Sequence, residues 1–187
     1  MKKILLILIL IITGCSKYTD LKDLTIIKSI GIEYNDNYTI YAQIYDEIKK
    51  DADPKTKVIN VSGKTLKESF NNLKNKVNKK IFLSHIDLLI LDTNLDKNKY
   101  KDIIDYFIKD NELRNDFLTI SSNDINNLLN KTKYNEIEDY IKTNNNVKKI
   151  SFDEIINNFL ENKPIILTTI DYRNNILESV NNEKNRT

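Results

Sequence analysis

The chain has 187 residues, which suits one domain of ordinary size or one domain with an extension. Hydrophobic residues make up 40% of the sequence, so the composition supports a buried core. The single cysteine excludes an intramolecular disulfide and a cysteine-based metal or redox pair, and a formal net charge of only +2 argues against a nucleic-acid partner.

The first fifteen residues follow the pattern of a bacterial export signal. Lys2 and Lys3 precede an aliphatic run from Ile4 to Ile12, which is far shorter than the roughly 20 apolar residues that span a bilayer. Thr13-Gly14-Cys15 resembles a lipobox, in which the cysteine thiol receives a diacylglycerol and the peptide is cut just before it. The sequence therefore predicts a lipoprotein signal peptide at 1–14, a lipidation site at Cys15 and a lipid-anchored tether at 15–23. An uncleaved amphiphilic anchor or an ordinary secretory signal is the alternative.

Processing at Cys15 would change the charge balance. It would remove Lys2 and Lys3 from the 29 basic residues and leave 27, equal to the 27 acidic residues. A neutral mature chain again argues against nucleic acid and against a polybasic membrane patch. Acyl chains alone suffice for stable anchoring, because each buried methylene contributes about 0.8 kcal/mol. We expect the membrane to be a partner through the lipid on Cys15.

Two runs rich in β-branched and aromatic residues follow the tether. Leu24 to Glu33 and Tyr38 to Tyr45, separated by Asn35-Asp36-Asn37, predict an antiparallel hairpin. Residues 47–57 are charged and predict an exposed loop before a short strand at 58–61. In the second run, alternation predicts one face made of Tyr38, Ile40, Ala42 and Ile44, and the other made of Thr39, Tyr41, Gln43 and Tyr45.

An amphipathic helix and a buried strand come next. Thr65 and Glu68 have the spacing of a capping box, and the helix is predicted to run to about Lys79. Its apolar stripe consists of Leu66, Phe70, Leu73 and Val77. The stretch from Ile86 to Leu91 has five large aliphatic residues in six positions, with Asp87 between them. Such a run is typical of a strand covered on both faces.

The remaining sequence is mostly helical in pattern. The first predicted helix is marked by Tyr100, Ile103, Ile104 and Phe107, and a strand at 117–121 follows it. A second helix, capped by Ser122 or Asn123, runs through Leu129, and two more helices are predicted at 137–141 and, capped by Ser151, at 155–160. An apolar run at 165–170 and a polar tail at 173–187 complete the chain. Together these elements predict an α/β fold. We expect a single domain at 24–172, with a mixed β-sheet, an N-terminal hairpin and amphipathic helices packed on the sheet.

No catalytic, cofactor-binding or metal-binding constellation stands out. Ser62-Gly63-Lys64-Thr65 has the ending of a phosphate-binding loop, but Val58 stands where that loop needs a glycine, so a turn into a capped helix is favoured. His85 is the only histidine, and it is interpreted as a structural residue at a strand entrance, with Ser84 on the opposite face of the strand. The tyrosines of the hairpin, Tyr38, Tyr41 and Tyr45, fit a contact surface or ordinary strand packing equally well.

A set of segments that begins with the lipobox cysteine matches one protein family. The most specific segment is Lys80-Ile81-Phe82-Leu83-Ser84-His85-Ile86-Asp87-Leu88-Leu89-Ile90-Leu91. The other matching segments are Leu21-Lys22-Asp23-Leu24, Ile30-Gly31-Ile32-Glu33, Ser62-Gly63-Lys64-Thr65, Ile104-Asp105-Tyr106-Phe107 and Lys109-Asp110-Asn111-Glu112-Leu113-Arg114. In these segments the mature chain resembles the N-terminal domain of the Ger(x)C spore-germination lipoproteins, the C subunits of nutrient germinant receptors.

The resemblance implies a non-enzymatic subunit of a germinant receptor, without cofactor, that acts in spore germination. It would lie on the outer face of the cytoplasmic membrane, which is the inner membrane of the spore, beside polytopic A-type and B-type subunits. Family members carry further C-terminal domains, which a second chain could supply. The alternative is a free-standing lipid-anchored binding or scaffold protein of the bacterial cell surface.

Overall fold

A computed structural model of the protein describes residues 24–46, 55–77, 80–110 and 114–180. These residues form one mixed β-sheet of eight strands with helices on both faces, which confirms the predicted α/β class. The strands are β1 (Leu24–Asn35), β2 (Asn37–Asp46), β3 (Lys55–Gly63), β4 (Lys80–Phe82), β5 (Leu88–Asp92), β6 (Leu118–Ser122), β7 (Thr169–Arg173) and β8 (Ile176–Val180). The helices are α1 (Leu66–Lys76), α2 (Lys97–Lys109), α3 (Ile125–Lys131), α4 (Tyr134–Thr143) and α5 (Phe152–Leu160).

The strand order gives the sheet two chemically different ends. The order is β3-β2-β1-β5-β6-β7-β8, and β4 pairs with β1 beside β5. Neighbouring strands pair in parallel from β1 through β5 and β6 to β7, whereas β2 and β8 are antiparallel to their neighbours. The starts of these four parallel strands therefore meet at one end of the sheet, here called the amino end. Their last residues meet at the opposite end, called the carboxyl end.

The predicted N-terminal hairpin is confirmed. β1 and β2 pair in antiparallel register from Ile27 with Ile44 to Asn35 with Asn37. Asp36 alone forms the tip with φ at 60°, a left-handed conformation that Asp tolerates better than most residues. The predicted apolar face is buried at Tyr38, Ile40, Ala42 and Ile44.

The sheet has a hydrophobic core on each face. Core A lies between the sheet and α1, α2 and α5, and core B lies between the sheet and α3 and α4. β5 shows the arrangement most clearly, because Leu89 and Leu91 belong to core A while Leu88 and Ile90 belong to core B. All five residues of β5 are buried, so the strand predicted to be covered on both faces is confirmed.

The glycine of Ile30-Gly31-Ile32-Glu33 allows α3 to lie directly on β1. A Cβ atom built on Gly31 would lie 2.2 Å from Cγ2 of Ile125 in α3. Carbon atoms in contact prefer a separation of about 3.5–4.0 Å. Gly31 is therefore required by the close approach of a helix.

The segment Ser62-Gly63-Lys64-Thr65 is the start of a helix. The Thr65 side chain accepts a hydrogen bond from the Glu68 amide at 3.2 Å, and the Glu68 carboxylate accepts one from the Lys64 amide at 2.8 Å. A Cβ on Gly63 would lie 2.7 Å from the Ser69 amide nitrogen. These contacts confirm the turn into a capped helix as the interpretation of this motif.

Two boundaries differ from the sequence prediction in the first half of the chain. β3 begins at Lys55, so residues 55–57 are strand instead of the predicted exposed loop. Pairing with β2 extends to Asp46 and Lys55, which explains why charged residues enter the strand. α1 ends at Lys76, with Val77 as its C-cap, short of the predicted end near Lys79.

The cap of α3 also differs from the prediction, because the expected residues bind elsewhere. Asp124 caps the helix by accepting a hydrogen bond from the Asn127 amide at 2.9 Å. Ser122 Oγ and Asn123 Nδ2 instead donate to the carboxylate of Asp171, at 2.8 and 2.7 Å. The predicted caps, Ser122 and Asn123, are wrong because this buried carboxylate requires their donors.

Asp171 is buried and charged, and Arg173 lies 2.8 Å from its Oδ2 atom. Burial alone would raise the pKa of Asp171, but the hydrogen bonds from Asn123 and Ser122 and the charge of Arg173 outweigh that effect. The pKa of Asp171 is therefore lowered, and its carboxylate stays ionised.

The polar tail predicted at 173–187 is wrong for residues 173–180. These residues complete β7 and form β8, with the turn at Asn174 and Asn175, whose φ angles are 51° and 65°. Asparagine tolerates these left-handed conformations, which two-residue hairpins require. The apolar run predicted at 165–170 contributes only Thr169 and Ile170 to a strand.

Among the described residues, no helix is both long enough and apolar enough to cross a bilayer.

Candidate functional site

The loop between β4 and β5 projects at the amino end of the sheet. Both strands pair with β1, with Phe82 opposite Ile26 and Leu88 opposite Ser29. Between these pairs β1 has two residues, whereas the opposite chain has the five residues 83–87. The extra length forms a turn, in which the Ile86 amide donates to the Leu83 carbonyl at 3.2 Å.

The loop is anchored by apolar side chains and displays polar ones. Leu83 and Ile86 are 2% and 4% exposed, whereas Ser84 is half-buried and His85 is exposed. Since Ser84 and His85 lie in a turn, the expectation that they occupy opposite faces of a strand is wrong. His85 does stand just before β5, at the strand entrance that the sequence predicted.

Asp87 joins three strands at the end of this loop. Its amide donates to the Lys28 carbonyl of β1 at 2.9 Å, and its carbonyl accepts from the Leu118 amide of β6 at 3.0 Å. Its carboxylate forms an ion pair with the Lys28 ammonium at 2.6 Å. The ammonium also lies 5.4 Å from the centre of the Tyr134 ring, within the range of a cation–π contact.

Arg114 presents a second ion pair beside Asp87. Its Nε donates to Oδ1 of Asp116 at 3.0 Å, and its Nη2 donates to Oδ2. This two-pronged contact raises the pKa of Arg114 and lowers the pKa of Asp116. Both side chains are more than half exposed, so the pair holds a fixed geometry in contact with solvent.

A shallow cavity of about 160 Å³ connects these groups, and its lining includes Asp87, Arg114, Asp116 and Glu138. Glu138 in turn pairs with Lys142 at 2.6 Å. We call the three ion pairs around this cavity the amino-end surface: Lys28 with Asp87, Arg114 with Asp116, and Glu138 with Lys142. Solvent screening makes such ion pairs weak contributors to stability, so the fold does not depend on them.

The amino-end surface carries a balanced and ordered pattern of charge. Such a pattern suits recognition of a complementary polar surface, because paired charges determine orientation more than affinity. Within the described part of the chain, no three His, Cys, Asp or Glu residues are placed to hold a metal ion. The amino-end surface offers ordered charges and hydrogen-bonding groups.

The other residues singled out from the sequence lie elsewhere. Cys15, the predicted lipidation site, lies outside the described residues. Tyr38 donates to Asp102 at 2.6 Å and belongs to core A, whereas Tyr41 donates to Glu33 at 2.9 Å and packs against core B. Ordinary strand packing therefore accounts for these two tyrosines, and the side chain of Tyr45 is not among those described.

Sequence reasoning missed Lys28 and Glu138. Lys28 is the only charged residue between Leu24 and Ile32, just as Asp87 is the only one between Ile86 and Leu91. A lone charge in an apolar strand requires a partner or solvent, and two such strands could have suggested the pair. Glu138 lies half-buried on α4 and carries no comparable signal.

Comparison with known proteins identifies related sequences. The family described as "Spore germination protein N-terminal domain" matches residues 17–172. Spore germination protein KC of Bacillus subtilis (strain 168) is 26% identical over 123 residues, which cover 59% of this chain and 30% of that protein. The matched region is thus less than a third of the relative's length. No solved structure matches the chain.

Proposed function

The chain belongs to the family of the spore germination protein N-terminal domain, and from that premise we propose that it is a lipid-anchored C-type subunit of a spore germinant receptor. It acts by binding polytopic A-type and B-type subunits on the outer face of the spore inner membrane. A second chain that carries further C-terminal domains is a candidate third partner. The subunit orients its partners and catalyses no reaction.

The position of the amino-end surface relative to the anchor is the observation that supports this role. Cys15 precedes Leu24, the first residue of β1, by nine positions. Nine residues span at most about 32 Å when fully extended. Because β1 starts at the amino end of the sheet, that end of the domain is the closest in sequence to a lipid on Cys15.

A tether of this length also makes a weak contact effective. A short flexible linker holds a domain at an effective concentration of the order of millimolar relative to partners in the same membrane. The amino-end surface can then recognise a polytopic subunit through its ordered charges, without a large apolar interface.

Cys15→Ala tests the anchor. The variant should move from the membrane fraction to the soluble fraction and lose acyl labelling, because its thiol can no longer receive a lipid. Ser16→Ala, a similarly small change one position later, should leave both properties unchanged. Retention of Cys15→Ala in membranes, with no acyl labelling of residue 15 in the unchanged chain, would contradict the anchor.

Affinity purification of the tagged full chain from detergent-solubilised spore membranes tests the assembly. Recovery of two polytopic subunits supports the receptor, and co-purification of another C-type chain would identify the third partner. Arg114→Glu should reduce recovery of the polytopic subunits. Lys101→Glu is the matched control, because Lys101 is an exposed cation paired with Asp105 on α2. Absence from spores with recovery from vegetative membranes would favour the surface scaffold.

A further inference from the structure

A second cavity opens at the carboxyl end of the sheet, remote from the amino-end surface. Its volume is about 270 Å³, and its lining includes Glu33, Tyr41, Asp92, Asn94, Asn123 and Asp124. This volume corresponds to about nine water molecules at roughly 30 Å³ each, enough for a small organic molecule.

The chain topology produces this crevice. The connection after β5 leads to α2 in core A, whereas the connection after β6 leads to α3 in core B. Adjacent parallel strands whose connections leave to opposite faces separate at their carboxyl ends, and open α/β sheets bind ligands at such points. Asp92 and Asn94 come from the end of β5, and Asn123 and Asp124 from the end of β6.

The crevice contains three carboxylates, and in each of them one of the two oxygens accepts a hydrogen bond from a neighbouring residue. Glu33 Oε2 accepts from the Tyr41 hydroxyl, Asp92 Oδ1 from the Asn94 amide and Asp124 Oδ1 from the Asn127 amide, each at 2.9 Å. Within the described residues, the second oxygen of each carboxylate has no hydrogen-bond partner. These local bonds orient the carboxylates and leave one oxygen of each available as an acceptor.

The negative charge in the crevice has no counter-ion among the described residues, since none of the three carboxylates forms an ion pair. Asp92 is only 9% exposed, and a carboxylate this buried is costly without an opposite charge. The same carboxylates raise the pKa of the Tyr41 hydroxyl. Burial is the largest cause of this rise, and the hydrogen bond to Glu33 and the charges of Glu33, Asp124 and Asp92 add to it.

We propose that this crevice binds a small organic ammonium compound. An ammonium group brings the missing positive charge and N–H donors that carboxylate oxygens of the lining can accept. The negative lining disfavours an anion. The carboxylates do not suit a metal ion, because no three His, Cys, Asp or Glu side chains among the described residues are close enough to bind one ion.

Titration of the full chain in detergent micelles with ethanolamine, followed by amide chemical shifts in two-dimensional NMR, tests the site. Ethanolamine should give saturable shifts at Asn94, Asn123 and Asp124. Glycerol and acetate are the neutral and anionic controls, and they should give no saturable shifts there. Equal binding of glycerol, or ethanolamine shifts confined to the amino-end surface, would overturn the proposal.

Charge-removing variants assign the effect to the crevice. Asp92→Asn should weaken ethanolamine binding by about tenfold or more, as expected for a desolvated charge pair. Glu33→Gln retains an acceptor for Tyr41 and should weaken binding about threefold or more. Asp105→Asn, on α2 and outside both cavities, should leave the affinity for ethanolamine unchanged. Unchanged affinity in Glu33→Gln and Asp92→Asn would refute the site, and Glu33→Gln decides alone if Asp92→Asn does not fold. Receptor assembly is a separate readout, so either proposal can fail without the other.

Discussion

Gly31→Ala is the sharpest test of how core B is assembled. The added Cβ would lie 2.2 Å from Cγ2 of Ile125 and 3.5 Å from both Cδ1 of Leu129 and Cβ of Tyr41. Since carbon contacts settle near 3.5–4.0 Å, Ile125 must change rotamer or α3 must shift by more than about 1 Å.

The expected loss in the free energy of unfolding follows from this overlap. Overpacking a core by one methyl group costs about 1–3 kcal/mol. The φ angle of Gly31 is not positive, so alanine fits the backbone and recovers about 0.4–1 kcal/mol through the unfolded chain. We expect a net loss of about 1–2 kcal/mol, which for a chain of this length lowers the melting temperature by about 2–8 °C.

Urea denaturation of the Gly31→Ala, Ile125→Ala and double variants isolates the contact. Ile125→Ala alone should cost about 2–5 kcal/mol, because it leaves a cavity. The double variant should be more stable than the sum of the single losses predicts, by about 0.5–3 kcal/mol. Strict additivity, or a Gly31→Ala protein as stable as the unchanged chain, would refute the proposed packing.

Three further substitutions test other parts of the fold by urea denaturation. Asp171→Asn should lower the free energy of unfolding by about 1.5–3 kcal/mol near neutral pH, since it removes a charged acceptor. Because the folded pKa of Asp171 is lowered, its stabilisation is complete above the pKa of an unfolded aspartate and is lost as pH falls through the folded pKa. The gap between the two proteins should therefore close below about pH 4, and a gap independent of pH would contradict this reasoning. Thr65→Ala should cost about 1 kcal/mol and Thr65→Ser much less, because serine can still cap α1; equal losses would argue against the cap. Phe107→Ala should cost about 3–5 kcal/mol, because the ring of Phe107 packs against the rings of Phe117 and Phe152, with centre-to-centre distances of 5.6 and 5.1 Å. A loss below 1 kcal/mol would show that this aromatic cluster is loosely packed.

Local pattern was sufficient to predict the elements whose burial has a regular period. One face of β2 is apolar, β5 begins with four consecutive aliphatic residues before Asp92, and α1 repeats its apolar residues on one stripe. β8 was not predicted, because Glu178 and Ser179 interrupt its apolar residues. The strand is held by pairing with β7, which the local sequence does not show. The cap of α3 was predicted wrongly because Asn123 donates its side-chain hydrogen bond to Asp171, which lies 48 residues away in the sequence.

Only part of the amino-end surface could be predicted from the sequence. The resemblance singled out Asp87 and Arg114 as members of matched segments, yet their neighbourhood depends on strand register. Lys28 lies 59 residues from Asp87, and the pair forms only because β5 adds beside β1 in parallel. A sequence pattern reveals which face a side chain occupies, but it does not reveal which strand will lie next to it.

The inner position of β1 in the sheet has a mechanical consequence for the proposed tether. β1 is an inner strand that pairs with β2 on one side and with β4 and β5 on the other. Ladder hydrogen bonds run across the strands, so a pull on the N-terminus would load both ladders in shear, many bonds at once. If the domain is anchored and bound as proposed, it would resist unfolding when the membrane and the partner move apart.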